Sequence, residues 1–330
     1  MKRFIISLLL VQTIYGMGSK YMPVVLMPGI SSTAQSPEPF KRKLEAKFPG
    51  IYVKIIAPPK DGVANGWNRI EHARQQIKKD HMLMAYPHYN MICHSQGTLD
   101  GRGVIETKED TGDNQEPAVY NYIGLSGPQA GEFGIAHTLL EEIENLLHCE
   151  NPELKKIVDD YLRAELKDVY RILYQPLAQE NISFASYWND PFHQKEYLEE
   201  SKFLPLLNNE KVHEHAAQYK RNIMALNTMV LMSSLREQEI KPRESSFFYF
   251  YKSGSNAVIE TFHQRYNTSH DPLGLWALAC QEKITFLEAN CLHTEFWSDQ
   301  NVFNMVARYA GILCQNQSDM QSKKCCCDLV

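Results

Sequence analysis

Residues Tyr89-Asn-Met-Ile-Cys-His-Ser-Gln-Gly97 place an apolar run directly before a serine and a glycine. A serine hydroxyl is a useful nucleophile only when a neighbouring base takes its proton. A sharp, strained turn between a strand and a helix is the arrangement that presents it to substrate. In the G-x-S-x-G form of that turn, small residues two positions either side of the serine let strand and helix approach closely. Gly97 occupies the second small position and Cys93 the first, a departure that a small thiol side chain can accommodate. Ser95 is therefore the candidate nucleophile. The backbone N–H of Gln96 is a candidate donor to the oxyanion that forms when the hydroxyl attacks a carbonyl.

Such a nucleophile needs an imidazole base and a carboxylate that orients it, and behind this kind of elbow the chain order is serine, acid, histidine. His293 meets that order, lying after the late apolar run Thr285 to Leu287 and before the last helical stretch. His94 flanks Ser95 and is expected to point to the opposite side of the turn. His213 and His215, at i and i+2, cannot share a helix face and so make no metal pair. The eight cysteines are Cys93, Cys149, Cys280, Cys291, Cys314 and the run Cys325, Cys326 and Cys327. None has the CxxC spacing of a zinc or redox site, so neither metal nor cofactor is expected.

The elements that would position these residues alternate along the chain. Near-continuous apolar runs at Met22 to Met27, Ile51 to Ile56, Tyr89 to Cys93, Val119 to Leu125, Met229 to Met232, Phe247 to Tyr251 and Thr285 to Leu287 read as strands buried on both faces. Pro39 to Phe48, Trp67 to Lys79, Gly97 to Thr107 and Asn301 to Gly311 read as helices between and after them. This βαβ grammar predicts an α/β fold with a mostly parallel, doubly wound sheet. From about 128 to 225 the pattern is helical with no convincing strand. That block is expected as a helical cap inserted over the sheet's carboxyl edge, where such folds carry their sites.

Composition narrows the partners. The chain has 330 residues, 44% apolar and 22% charged, which excludes collagenous, low-complexity and disordered classes. Lys plus Arg number 34 against 39 for Asp plus Glu, with no basic stretch dense enough for a phosphate backbone, so nucleic acid is not an expected partner. Residues 1 to 18 read as a cleaved secretory signal peptide: Lys2 and Arg3, an apolar stretch from Phe4 to Tyr15, then Gly16 and Gly18 at the small cleavage positions. That stretch is shorter than the ~20 residues of a membrane span, so no stable membrane anchor is expected. Entry into an oxidising lumen makes three triplets candidate glycan acceptors, at Asn181, Asn267 and Asn316.

Several segments, spread in one order from the first strand to the last helix, carry a resemblance to a known family. They are Phe48-Pro-Gly-Ile-Tyr-Val53, His94-Ser-Gln-Gly97, Gly127 with Gly131-Glu-Phe-Gly134, and Tyr187-Trp-Asn-Asp-Pro191. Tyr219-Lys220 with Asn222 and Met224-Ala-Leu226, then Ser246 to Gly254, and Leu273-Gly-Leu275 complete the series. On these segments the chain resembles the palmitoyl-protein thioesterases, lysosomal α/β-hydrolases that remove fatty acyl groups from cysteine. The resemblance implies an α/β-hydrolase catalytic domain over residues 19 to 314, with Ser95 as nucleophile and His293 as base. The family's acid is an aspartate shortly after the strand ending here at Met232 to Ser234. Glu237 stands at the matching position, one methylene longer, and Glu239 and Glu244 compete with it. The family's His-Gly-Met-Gly run corresponds to Met27-Pro-Gly-Ile30, which makes Ile30 the expected second oxyanion donor.

The implied substrates are S-acylated proteins or peptides, and the implied compartment is the lysosome or the secretory route. An apolar groove for the acyl chain is expected from the cap and from Phe247 to Phe250, although most of those aromatics should be core. A secreted carboxylesterase or lipase acting on oxygen esters is one alternative; a catalytically impaired lipid-binding relative is the other. Residues 315 to 330 read as a disordered tail whose Cys325, Cys326 and Cys327 are oxidised or unpaired, because lipidation of such cysteines is cytosolic and conflicts with a leader.

Overall fold

Alternate side chains of each long apolar run enter two different cores, which is why these runs become strands of a sheet covered on both sides. In the computed structural model, residues 20–30, 32–59, 64–109, 116–134 and 151–312 are described. The expected signal peptide, the tail with Cys325 to Cys327, the Asn316 triplet, Cys149 and Cys314 lie outside them. Strands β1 (Val24–Met27), β2 (Val53–Ile55), β3 (His88–His94), β4 (Ala118–Leu125), β5 (Thr228–Ser234) and β8 (Ile284–Ala289) form one six-stranded sheet in the order β2-β1-β3-β4-β5-β8. Every neighbouring pair in it is parallel. Val25, Met27, Met91, Cys93, Tyr122 and Leu231 face one core, while Val24, Leu26, Ile92, Ile123, Val230 and Met232 face the other.

Helices α1 (Glu38–Lys47) and α4 (Gln300–Ala310) supply Phe40, Leu44, Val302 and Val306 to the second core. Helices α2 (Gly66–Lys78) and α3 (Gly97–Glu106) supply Ile70, Ile77, Leu99 and Val104 to the first. This parallel sheet with helices on both faces is the α/β-hydrolase fold that the sequence predicts. Between β4 and β5 the described chain is helical from Pro152–Arg163 to Ala216–Met224. It leaves from the carboxyl end of β4, so its root lies beside the elbow. Residues 128–134 are turn and bridge rather than helix, Glu132 pairing with Trp188. No helix among the described residues is long and apolar enough to cross a membrane.

One expected strand is corrected. Phe247 to Tyr251 does not join the sheet: Arg243–Phe247 is a 3-10 turn, and only Phe250–Tyr251 is extended, as β6, pairing antiparallel with β7 (Ile259–Glu260) in a separate hairpin. Phe248, at φ +63°, interrupts the run. Ser245 anchors the turn by donating to the Gly131 carbonyl at 2.6 Å. Apolar periodicity cannot distinguish such a buried turn from a strand.

Arg102, wholly buried, ties the elbow helix to the insertion. Its Nε donates to Glu106 at 2.8 Å, Nη1 to the Gln129 side chain at 3.2 Å, and Nη2 to Asn208 Oδ1 at 2.8 Å. Burial pushes Glu106 up to about 7 despite that arginine. Burial likewise raises Asp100, Glu116 and Glu210, partly offset by Arg69, Arg74 and Arg265. It also raises Glu132, which the charges of Glu237 and Glu239 push further in the same direction. A carboxyl whose folded pKa exceeds its unfolded value binds protons more readily when folded, so stability is highest below the unfolded pKa and falls as pH rises through the folded one. For Glu106 that window runs from 4.5 to about 7. The stability that Glu106 contributes should therefore be larger at about pH 5 than at about pH 7.5, so the melting temperature of the wild type relative to Glu106→Gln should fall by several degrees between those values. A difference between wild type and Glu106→Gln that stays constant or grows across that interval would contradict this account.

Candidate active site

The parallel register brings the carboxyl ends of the central strands together: Met27 lies beside Cys93, His94 beside Leu125, Leu125 beside Met232 and Ser234 beside Ala289. The residue after β3 is Ser95, and the segments after β5 and β8 carry Glu237 and His293. Ser95 adopts φ +55°, a left-handed conformation that a non-glycine residue holds only when its surroundings impose it. Its N–H donates to Leu125 O at 2.9 Å, and its carbonyl accepts from the N–H and hydroxyl of Thr98 at 2.9 and 2.7 Å.

The small-residue rule of the elbow has a physical basis here. A Cβ on Gly97 would lie 2.3 Å from the Pro28 carbonyl oxygen, and one on Gly29 would lie 2.6 Å from Ser95 Cβ. The loop after β1 therefore runs against Ser95. Cys93 is tolerated at the first small position because its Sγ sits over Gly101, where a Cβ would come within 2.4 Å. Gln96 directly precedes α3, whose first N–H groups have no partner within the helix and whose dipole is positive at that end. Its side chain donates to Ser183 Oγ at 2.7 Å and Tyr187 Oη at 3.4 Å, fastening the elbow to the insertion. Gln96 and the half-buried Ile30 line one cavity of about 270 Å³ with Met27, Ile56, Ala73 and Arg69.

Of the three competing carboxylates, the structure brings Glu237 to His293. Glu237 Oε2 accepts from His293 Nδ1 at 2.9 Å, and the Glu237 side chain is fully buried. The same oxygen accepts the Ser126 hydroxyl, while Oε1 accepts the N–H groups of Gln238, Glu239 and Ile240 at 3.1, 2.9 and 3.2 Å. The added methylene of glutamate is thus accommodated by a loop that folds back over its own carboxylate. Burial alone would raise this carboxyl; the hydrogen bond and charge of His293, with Ser126 and the Glu239 N–H, outweigh it and hold Glu237 at about 2. An ionised carboxylate only accepts, so Nδ1 of His293 carries the proton and Nε2 is left with a lone pair. Glu239 contributes a backbone N–H to this loop, and Glu244 pairs instead with Arg243 at 3.4 Å.

One expectation at the site is revised, that for His94, while Phe247, Phe248 and Phe250 are core as the sequence predicts for most of those aromatics. His94 does not point away: its Nε2 lies 2.9 Å from the His293 carbonyl oxygen, and the two rings are 4.7 Å apart between centroids. Burial and the neighbouring His293 hold its pKa near 3. Phe247, Phe248 and Phe250 are core residues, each less than 8% exposed, and do not line the cavity beside Gln96. Asn181 is turned onto its own helix, donating to Leu177 O at 2.9 Å, and Ser183 of its triplet is buried. Asn267, by contrast, sits in a turn whose Oδ1 accepts from the N–H and hydroxyl of exposed Ser269 at 3.0 and 2.7 Å. Ser126, φ +45°, was not legible beforehand, since its only sequence signal is a place at the end of a strand.

The profile of the palmitoyl protein thioesterase family matches residues 23–293. Palmitoyl-protein thioesterase 3 of Dictyostelium discoideum is 31% identical over 87% of this chain and 90% of its own length. The lysosomal thioesterase PPT2 of Bos taurus is 27% identical over 86% and 85%. Among solved structures, lipase B of Aspergillus fumigatus matches 92% of this chain and 56% of its own at 11% identity, with a TM-score of 0.45.

Proposed function

The chain belongs to the palmitoyl protein thioesterase family, and from that premise we propose that it is a serine hydrolase releasing long-chain acyl groups from the cysteines of S-acylated proteins or peptides. The observation that carries this reading is the buried contact of Glu237 with His293 Nδ1, at the same sheet edge as the strained Ser95.

His293 Nε2 takes the Ser95 proton, and the hydroxyl oxygen attacks the thioester carbonyl. The oxyanion is met by the backbone N–H groups of Gln96 and Ile30; one such donor contributes roughly 3 kcal/mol in the transition state. Collapse expels the cysteine thiolate, which His293 protonates. Water, deprotonated in turn by His293, then cleaves the Ser95 acyl ester, releasing fatty acid and restoring the hydroxyl. Glu237 holds the imidazole tautomer throughout and stabilises the imidazolium.

Thiol release from a palmitoyl-cysteine peptide, measured beside hydrolysis of a long-chain oxygen ester, tests the reaction. The thioester should be turned over and Ser95 labelled by a fluorophosphonate. Labelling with turnover of the oxygen ester alone would make the chain a carboxylesterase or lipase, and absence of both would leave a lipid-binding relative.

The expected compartment is an acidic lumen, a reading supported by relatives named lysosomal thioesterases. Protein made through the secretory route should carry a glycan at Asn267 and not at Asn181. With Asn316→Gln as the common background, removal of N-glycans should then lower the apparent mass of the parent but not of its Asn267→Gln variant on a gel, and a shift retained by Asn267→Gln but lost from Asn181→Gln would reverse the assignment.

A further inference from the structure

The imidazole of His94 carries a polar load that packing does not explain. The ring is buried between His293, Phe296 and Trp297, with centroid separations of 4.7, 5.4 and 5.8 Å. Its Nδ1 is buried with no hydrogen-bond partner among the described residues. An unpaired buried acceptor destabilises a fold, and a phenylalanine of similar shape would remove it. What histidine adds over phenylalanine here is one bond: because a carbonyl only accepts, the Nε2–H of His94 donates to the oxygen of His293, at 2.9 Å.

That bond falls on the peptide of the base itself. The segment carrying His293 is pinned residue by residue, with the Ser234 hydroxyl donating to Cys291 O and Leu292 N–H donating to Glu295 Oε2 at 2.7 Å. The Leu292 carbonyl accepts from Glu295 N–H at 3.0 Å, His94 holds the carbonyl after it, that of His293, and His94 is the immediate chain neighbour of the nucleophile. We infer that His94 is a positioning residue, which fixes the His293 imidazole relative to Ser95 by holding the His293 carbonyl and packing against its ring. The role rests on the proposed assignment of Ser95 and His293. Misplacing a catalytic group by about 1 Å costs on the order of a hundredfold, so a single tether of this kind is enough to govern turnover.

The experiment compares His94→Phe, which keeps a planar ring and loses the N–H, with His94→Gln, which restores a side-chain N–H of similar reach. Both are assayed on a palmitoyl-cysteine peptide, with kcat expressed per fluorophosphonate-titrated site so that unfolded protein does not count. His94→Phe should lower kcat by roughly ten- to a hundredfold with KM changed less than about twofold, and His94→Gln should recover most of it, although the two need not differ in melting temperature. The inference is overturned if His94→Phe keeps kcat within about twofold, if the loss lies in KM, or if His94→Gln falls as far as His94→Phe. Ser95→Ala run in parallel separates the two levels: an active Ser95→Ala removes the catalytic assignment, whereas an inactive one beside a fully active His94→Phe removes the positioning role alone.

Discussion

Glu237→Gln is expected to lower kcat about 10⁴-fold while leaving the chain folded, a loss comparable to that of serine hydrolases whose acid is replaced by its amide. The reason is specific to how this carboxylate is held. Its Oε1 accepts three backbone N–H groups and its Oε2 accepts the Ser126 hydroxyl and His293 Nδ1. A glutamine has one acceptor oxygen, and the three N–H groups claim it. The amide NH2 is then left facing His293, which must turn a lone pair toward it at Nδ1 and carry its proton on Nε2, the nitrogen that should accept from Ser95.

Glu239→Gln and Glu244→Gln should be nearly silent, because neither carboxylate is the one bonded to His293. Glu237→Asp should recover little, being too short to serve the loop N–H groups and the imidazole together. A carboxyl held at about 2 stays ionised through the acidic range in which lumenal enzymes work. Its stabilising contribution is present above the ordinary carboxylate range and is lost only as pH falls toward 2, so the melting-temperature deficit of Glu237→Gln should shrink in strong acid. Near-normal turnover of Glu237→Gln, with loss in Glu239→Gln or Glu244→Gln, would transfer the role to that residue.

Ser95→Ala should be the more complete defect, removing the acyl-enzyme route and lowering kcat by on the order of 10⁶-fold. The backbone at this position is already at φ +55°, and alanine and serine bear that strain alike. The hydroxyl can thus be deleted without relaxing the elbow, and folding, melting temperature and the His293–Glu237 contact should persist. Fluorophosphonate labelling should vanish with activity. Residual turnover above about one per cent of wild type would mean that another group attacks the thioester. Combining Ser95→Ala with Glu237→Gln should cost little more than Ser95→Ala alone, since residues that act as one unit are not additive.

The sequence by itself determined the elements and the two ends of the site. Tyr89 to Gly97 is legible because strand, turn and helix are encoded by neighbouring residues: an apolar run, a serine, a glycine. The central strands β1, β3, β4 and β5 are legible for the same reason, each a largely apolar stretch that needs cover on both faces, whereas the edge strands β2 and β8 are only partly buried. His293 followed from chain order together with its place between the late apolar run and the last helix, and the span of the acid from the family resemblance.

Only the tertiary structure separated Glu237 from Glu239 and Glu244. Residues two to seven apart in one loop satisfy the same chain order, and the direction of each side chain depends on how that loop folds back on its own N–H groups. It also turned His94 toward the base and brought in Ser126, in contacts that join residues 199 and 111 positions apart. The strand assigned to Phe247 to Tyr251 failed for a related reason: its apolar residues are buried as expected, but Ser245 bonding to Gly131, 114 positions away, closes a turn there. Periodicity records which residues must leave water; it is silent on which distant residue they will meet, because that choice belongs to the packing of the sheet edge as a whole.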